Sequence, residues 1–168
     1  VTRGLLPALG YAYVALALPA FLLGFHHSNA DSALFTGAIF AFLWFLASLH
    51  ARLVRYDPNG FYASVVVAGG AAVIALQAAT VMFGQPQFAA LGSACAATVI
   101  IGSSLGALRA RKVSKWFGRA GVAGGVVVLV IGIVEGATDW TFAGDDLYAS
   151  VLGFMVWVVV TATYLLTR

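Results

Sequence analysis

Uncharged apolar runs long enough to cross a bilayer recur along this chain, separated by links of only a few residues. A span needs about 20 predominantly apolar residues, because roughly 30 Å of hydrocarbon is crossed at ~1.5 Å per residue. Five runs are clear, at 5–24, 33–54 (with Arg52 near its end), 61–83, 88–108 and 147–167. The remaining one is less clean. Only 120–134 are uncharged between Arg119 and Glu135, and the run reaches Thr138 only if Glu135 is admitted. Either helix 5 is short and thins the bilayer locally, or Glu135 lies inside its outer edge.

The composition excludes the other classes. Of 168 residues 9% are charged and 62% hydrophobic, with a mean hydropathy of +0.98. A soluble domain needs about a quarter of its residues charged to cover itself. Disorder requires the opposite balance, 9 Lys and Arg are too few for a nucleic-acid module, and the single Cys95 makes no intrachain bridge. The links carry turn chemistry: His26-His27-Ser28-Asn29 ahead of Asp31 and Ser32, then Asp57-Pro58-Asn59-Gly60, then Gly84-Gln85-Pro86-Gln87. Asp31 or Ser32 is expected to cap helix 2. Links this short force antiparallel hairpins and leave no room for a soluble domain, so 1–168 reads as a single integral membrane domain. The first run is span-length and has no A-x-A site ahead of His26, so it is taken as a span and not as a cleaved signal.

Orientation follows from the basic residues, which accumulate in short cytoplasmic loops. With six crossings, Arg3, Arg52, Arg55, Arg109, Arg111, Lys112, Lys115, Arg119 and Arg168 all fall on one side. Asp31, Glu135, Asp139, Asp145 and Asp146 fall on the other, and only Asp57 joins the basic side. Five crossings would put Arg168 opposite the basic loops. The expected fold is therefore an all-α polytopic bundle of six transmembrane helices with both termini cytoplasmic.

Membrane helices associate through close approach at small residues and a few polar contacts. Gly92/Ala96 and Gly102/Gly106 on helix 4, Gly121/Gly125 and Gly132/Gly136 on helix 5, and Gly69-Gly70 on helix 3 are the expected buried faces. A faint internal similarity links Ala47-Ser48-Leu49 and Gly69-Gly70 to Ser103-Ser104-Leu105 and Gly124-Gly125, as if hairpins 2–3 and 4–5 were parallel repeats about 55 residues apart. Trp116 and Trp140 fit interfacial anchors. Trp44 and Trp157 sit mid-span, so each indole N–H calls for a partner inside the bundle or sits against a ligand, with ordinary packing as the reading preferred over a ligand. Phe40, Phe42, Trp44 and Phe45 cover most of the circumference of helix 2, so part of that set faces lipid.

Several chemistries are set aside by position. A retinal Schiff base needs a lysine within the membrane, whereas Lys112 and Lys115 lie in a link. His26 and His27 sit a whole membrane thickness from His50, so no haem is held by two histidines of this chain. There is no H-E-x-x-H, Walker loop or mid-membrane serine with a histidine to activate it. A charge within a span is costly and marks function by default, which singles out Glu135. With Gln77 and Ser93 it would line an outer-leaflet ligand or ion path. His26 and His27, with a carboxylate such as Asp139, could instead hold zinc or copper. The alternative for both groups is a helix end at the headgroups beside solvated loops. The basic link with Arg109, Arg111, Lys112, Lys115 and Arg119, flanked by Trp116 and Phe117, suits anionic-lipid contact, the alternative being topology determination alone.

The stretch Phe40-Ala41-Phe42-Leu43-Trp44-Phe45-Leu46-Ala47-Ser48-Leu49-His50-Ala51-Arg52-Leu53, followed by Ala68-Gly69-Gly70, resembles a segment of uncharacterised multi-span proteins from high-GC actinobacteria, a DUF4386-like group. The resemblance covers helices 2 and 3 and implies no activity; a bacterial source also fits the excess of Arg over Lys. The first expectation is thus a non-enzymatic accessory or assembly subunit of a larger complex, or a homo-oligomer, in the bacterial plasma membrane. The others are a small transporter or channel entered near Glu135 and Gln77, and a membrane metal-binding protein. No cofactor is specified, and nucleic acid is excluded as a partner.

Overall fold

A computed structural model describes residues 2–22, 29–57, 59–83, 86–111, 113–138 and 149–167. Hydrocarbon offers no partner for a backbone amide, so each apolar run satisfies its own N–H and C=O groups by coiling into a helix. The elements are α1 (Thr2–Leu22), α2 (Asn29–Val54), α3 (Phe61–Phe83), α4 (Pro86–Arg109), α5 (Lys115–Thr138) and α6 (Ala149–Thr167). All six are long and apolar enough to cross a membrane, and no strand occurs among the described residues. The chain is an all-α, multi-pass membrane bundle.

The helices close into a ring in which each packs on its sequence neighbour and α6 returns to α1. Inside the ring α4 also reaches α6 and α2. Accordingly 56% of the α4 span is buried, against 22% of the α5 span. The Tyr11 hydroxyl and Thr163 Oγ1 lie 2.6 Å apart between α1 and α6, and Arg52 of α2 donates to the Leu165 carbonyl of α6 at 2.7 Å. The start of α1 and the ends of α2 and α6 therefore share one end of the bundle. At its centre Tyr13, Phe42 and Phe154 meet with ring centroids 4.9–6.4 Å apart, and Trp157 stacks on Phe154 at 5.7 Å. Tilted and edge-on pairs at such distances add to simple area burial.

Small residues bring the backbones together. On α5, Gly121, Gly125, Gly132 and Gly136 all face α4; a methyl group at Gly125 would come within 2.5 Å of Ile101 and 3.3 Å of the Ala97 carbonyl. The α4 glycines use a different face. Gly102 and Gly106 receive Val65 and Tyr62 of α3, while α4 turns Ser93, Ala97 and Ser104 toward α5. The two hairpins correspond at an offset of 55 residues. Leu46 packs on Gly70 and Ile101 on Gly125. Ser48 and Ser103 each bond back to the carbonyl three residues earlier, at 2.7 and 3.0 Å. The register thus equates Ser48 with Ser103, not Ser104, and the likeness ends at Gly124, which meets open space where Gly69 meets Val99.

Three expectations about local structure change. Helix 5 is not short: it begins at Lys115, because Ser114 caps it, accepting from the Phe117 amide on Oγ (3.2 Å) and from the Gly118 amide on its carbonyl (3.1 Å). Lys115 to Arg119 therefore form its first turns and leave only 110–114 as the link. Helix 2 begins at Asn29, so Asp31 and Ser32 fall within its first turn and not at the position before it. Trp44 is 47% exposed on the outer face beside Phe40, whereas Phe42 and Phe45 point inward. The turn after α2 forms as expected: Asp57, buried, accepts from the Asn59 and Tyr62 amides at 3.3 and 2.8 Å, and Gly60 takes a positive φ of 66°.

Candidate functional site

Glu135, three residues before the end of α5, is 1% exposed. Its carboxylate meets the first turn of α6, where helix amides have no partner within their own helix. The Ser150 amide donates to one oxygen at 3.2 Å, and the Ser150 hydroxyl donates to the other in a short bond. Ser93 of α4 in turn donates its hydroxyl to Ser150 Oγ at 2.7 Å. Three helices are thereby joined through one buried carboxylate. The positive end of the α6 dipole adds to the attraction. Gly132 makes the arrangement possible, because any side chain there would overlap Ser93.

Glu135 and Ser93, two candidates from the sequence, are brought together, with Ser150 between them. Sequence reasoning missed Ser150: nothing in helical periodicity connects it with a residue 15 positions earlier across a turn. A serine at the start of a span after an acidic link is the signal that was available. No hydrogen bond among the described residues joins Gln77 to this cluster; its side chain lies beside the buried Tyr13 hydroxyl of α1. Of the expected path of Glu135, Gln77 and Ser93, hydrogen bonds link Glu135 with Ser93 through Ser150. The candidate metal ligands His26, His27 and Asp139 lie outside the described residues, as do Lys112 and Trp140.

The opposite end of the same helices is open. A cavity of about 300 Å³ lies between α2, α4, α5 and α6, lined among others by Leu49, Arg52, Tyr56, Ser104, Trp157 and Leu165. The volume is at the low end of the roughly 300–1,000 Å³ typical of small-molecule sites. Phe117 stacks on Tyr164 at 5.3 Å beside it. Of the five N–H donors on a guanidinium, Arg52 commits one to Leu165, and no carboxylate of the described residues pairs with it. Of the basic link, Arg109, Arg111, Lys115 and Arg119 are exposed around this end, and Trp116 is 80% exposed beside them. Arg111 adopts a positive φ of 53°, a left-handed cap in which its amide bonds to the Leu108 carbonyl at 3.0 Å.

In comparisons with known proteins, no family model, no curated protein and no solved structure matches the chain.

Proposed function

We propose that this is a non-enzymatic integral protein of the bacterial plasma membrane, an accessory or assembly subunit that packs in a larger membrane complex. The reading rests on Glu135: the ionisable group buried deepest in the spans is spent on Ser150 and, through it, on Ser93, so it fastens α4, α5 and α6 together. A carboxylate committed in this way contributes to architecture. The positive-inside distribution sets the Arg52 end, with both termini, in the cytoplasm, where the exposed cations Arg109, Arg111, Lys115 and Arg119 would contact anionic headgroups. Gentle-detergent purification from the native host tests this reading. Wild-type protein and Glu135→Gln should both copurify in a fixed ratio with the same membrane subunits. A chain that emerges alone from that purification sinks it.

A transporter is the second reading, and one observation favours it: carboxyl and hydroxyl groups follow one another without a break from Glu135 to Ser93, as in a proton relay. In that case Glu135→Gln abolishes flux in proteoliposomes while the bundle still folds.

A further inference from the structure

We infer that the cavity at the Arg52 end is a binding site for an anionic phospholipid, with one hydrocarbon chain seated against Trp157 and the headgroup held by Arg52. Arg52 is half-buried and, among the described residues, has no carboxylate partner and keeps four N–H donors beyond the one given to Leu165. A cation in that setting attracts an anion, and a guanidinium suits the two-oxygen face of a phosphate diester. The only acidic residue near it in sequence is Asp57, and its carboxylate is turned to the amides of Asn59 and Tyr62.

The cavity has the polarity gradient of an amphiphile. Arg52, Tyr56 and Ser104 bring polar groups to its wall, whereas Leu49, Trp157 and Leu165 make an apolar one. Trp157, stacked on Phe154, gives a rigid aromatic surface. About 300 Å³ accommodates part of one hydrocarbon chain and not a whole lipid, so the rest of the molecule stays in the leaflet. The leaflet supplies the ligand at high local concentration, and the exposed basic residues of the 109–119 segment enrich anionic lipid at the mouth. This site differs from contact at that segment, because it is enclosed by four helices and centred on Arg52. It holds whichever functional reading is right.

Trp157 reports occupancy directly. In a chain whose other tryptophans are replaced (Trp44→Phe, Trp116→Phe, Trp140→Phe), reconstituted in phosphatidylcholine vesicles, brominated phosphatidylglycerol should quench Trp157 at about fivefold lower mole fraction than brominated phosphatidylcholine. That is the factor one basic residue contributes to anionic-lipid binding. Arg52→Gln, which keeps a donor for Leu165 and removes the charge, should bring the two lipids to parity. Neutralising Arg109, Arg111 and Lys115 should leave most of the preference in place. Thr161→Phe, which fills the cavity without touching a charge, should weaken quenching by either lipid and provides the test if Arg52→Gln does not fold. Equal quenching in the parent, or a preference that survives both Arg52→Gln and Thr161→Phe, overturns the assignment. A preference erased by inorganic phosphate points to a soluble anion and overturns the lipid as occupant.

Discussion

At one end of the wall formed by α4, α5 and α6, Glu135 is buried and fully engaged by Ser150, with Ser93 behind it; at the other, Arg52 of α2 faces a cavity and has no carboxylate partner among the described residues. The same three helices take part in both, joined at the open end by α2. What differs is the size of the residues between them. Near Glu135, Gly132 and Gly136 let α5 settle directly on Ser93 and Ala90 of α4. Near Arg52, Gly118 and Gly121 still bring α5 onto α4, but the rings of Phe117, Trp157 and Tyr164 line a cavity toward α2 and α6. A charge can be buried where polar partners reach it without a gap, and it stays available where bulky rings keep them away.

The sharpest way to break this contrast is to wedge the closed end. Gly132→Leu drives a side chain into Ser93 and should destabilise the bundle by about 3 kcal/mol, the upper part of the usual overpacking range. Gly124→Leu, on the face with open space around it, should change stability by less than about 0.5 kcal/mol. Thermal unfolding of both variants in one detergent measures the difference, and equal loss would mean that α5 does not pack through Gly132. Next in size, Glu135→Ala strands the buried amide and hydroxyl of Ser150 and should cost about 2 kcal/mol. Glu135→Gln keeps an acceptor for the amide and should recover more than half of that. Ser93→Ala removes only the outer bond of the chain, so unfolding in the same detergent should show a loss of about 0.6–1 kcal/mol.

The effect at the open end has the opposite sign. Arg111 holds a left-handed conformation that a β-carbon disfavours, so Arg111→Gly should raise stability by about 1 kcal/mol. If the midpoint instead falls, the residue contributes through its side chain more than its backbone costs.

Residue by residue, legibility followed the range of the interaction. The spans were readable because the need to bond every backbone group in hydrocarbon acts on each run separately, and the glycine faces because close approach demands small residues wherever it occurs. Local capping was only partly readable. The Asp57 turn was expected, whereas Ser114 went unnoticed because a charged link hid the start of α5. Glu135 stood out as a costly charge, but whether it faced headgroups, a path or a partner depended on where Ser150 would come to lie. Gln77 lies at a similar depth, yet depth says nothing about which polar groups of other helices a side chain meets.

Composition and charge placement alone determined that this chain is a six-helix membrane bundle with its cations gathered at one end, since each of those properties is a sum over single residues in a given solvent. Which polar groups meet was decided by tertiary structure. The pairing of Glu135 with Ser150 and the placing of Arg52 at the cavity depend on rotations of whole helices, set by the packing of residues distant in sequence, and no local pattern carries that information.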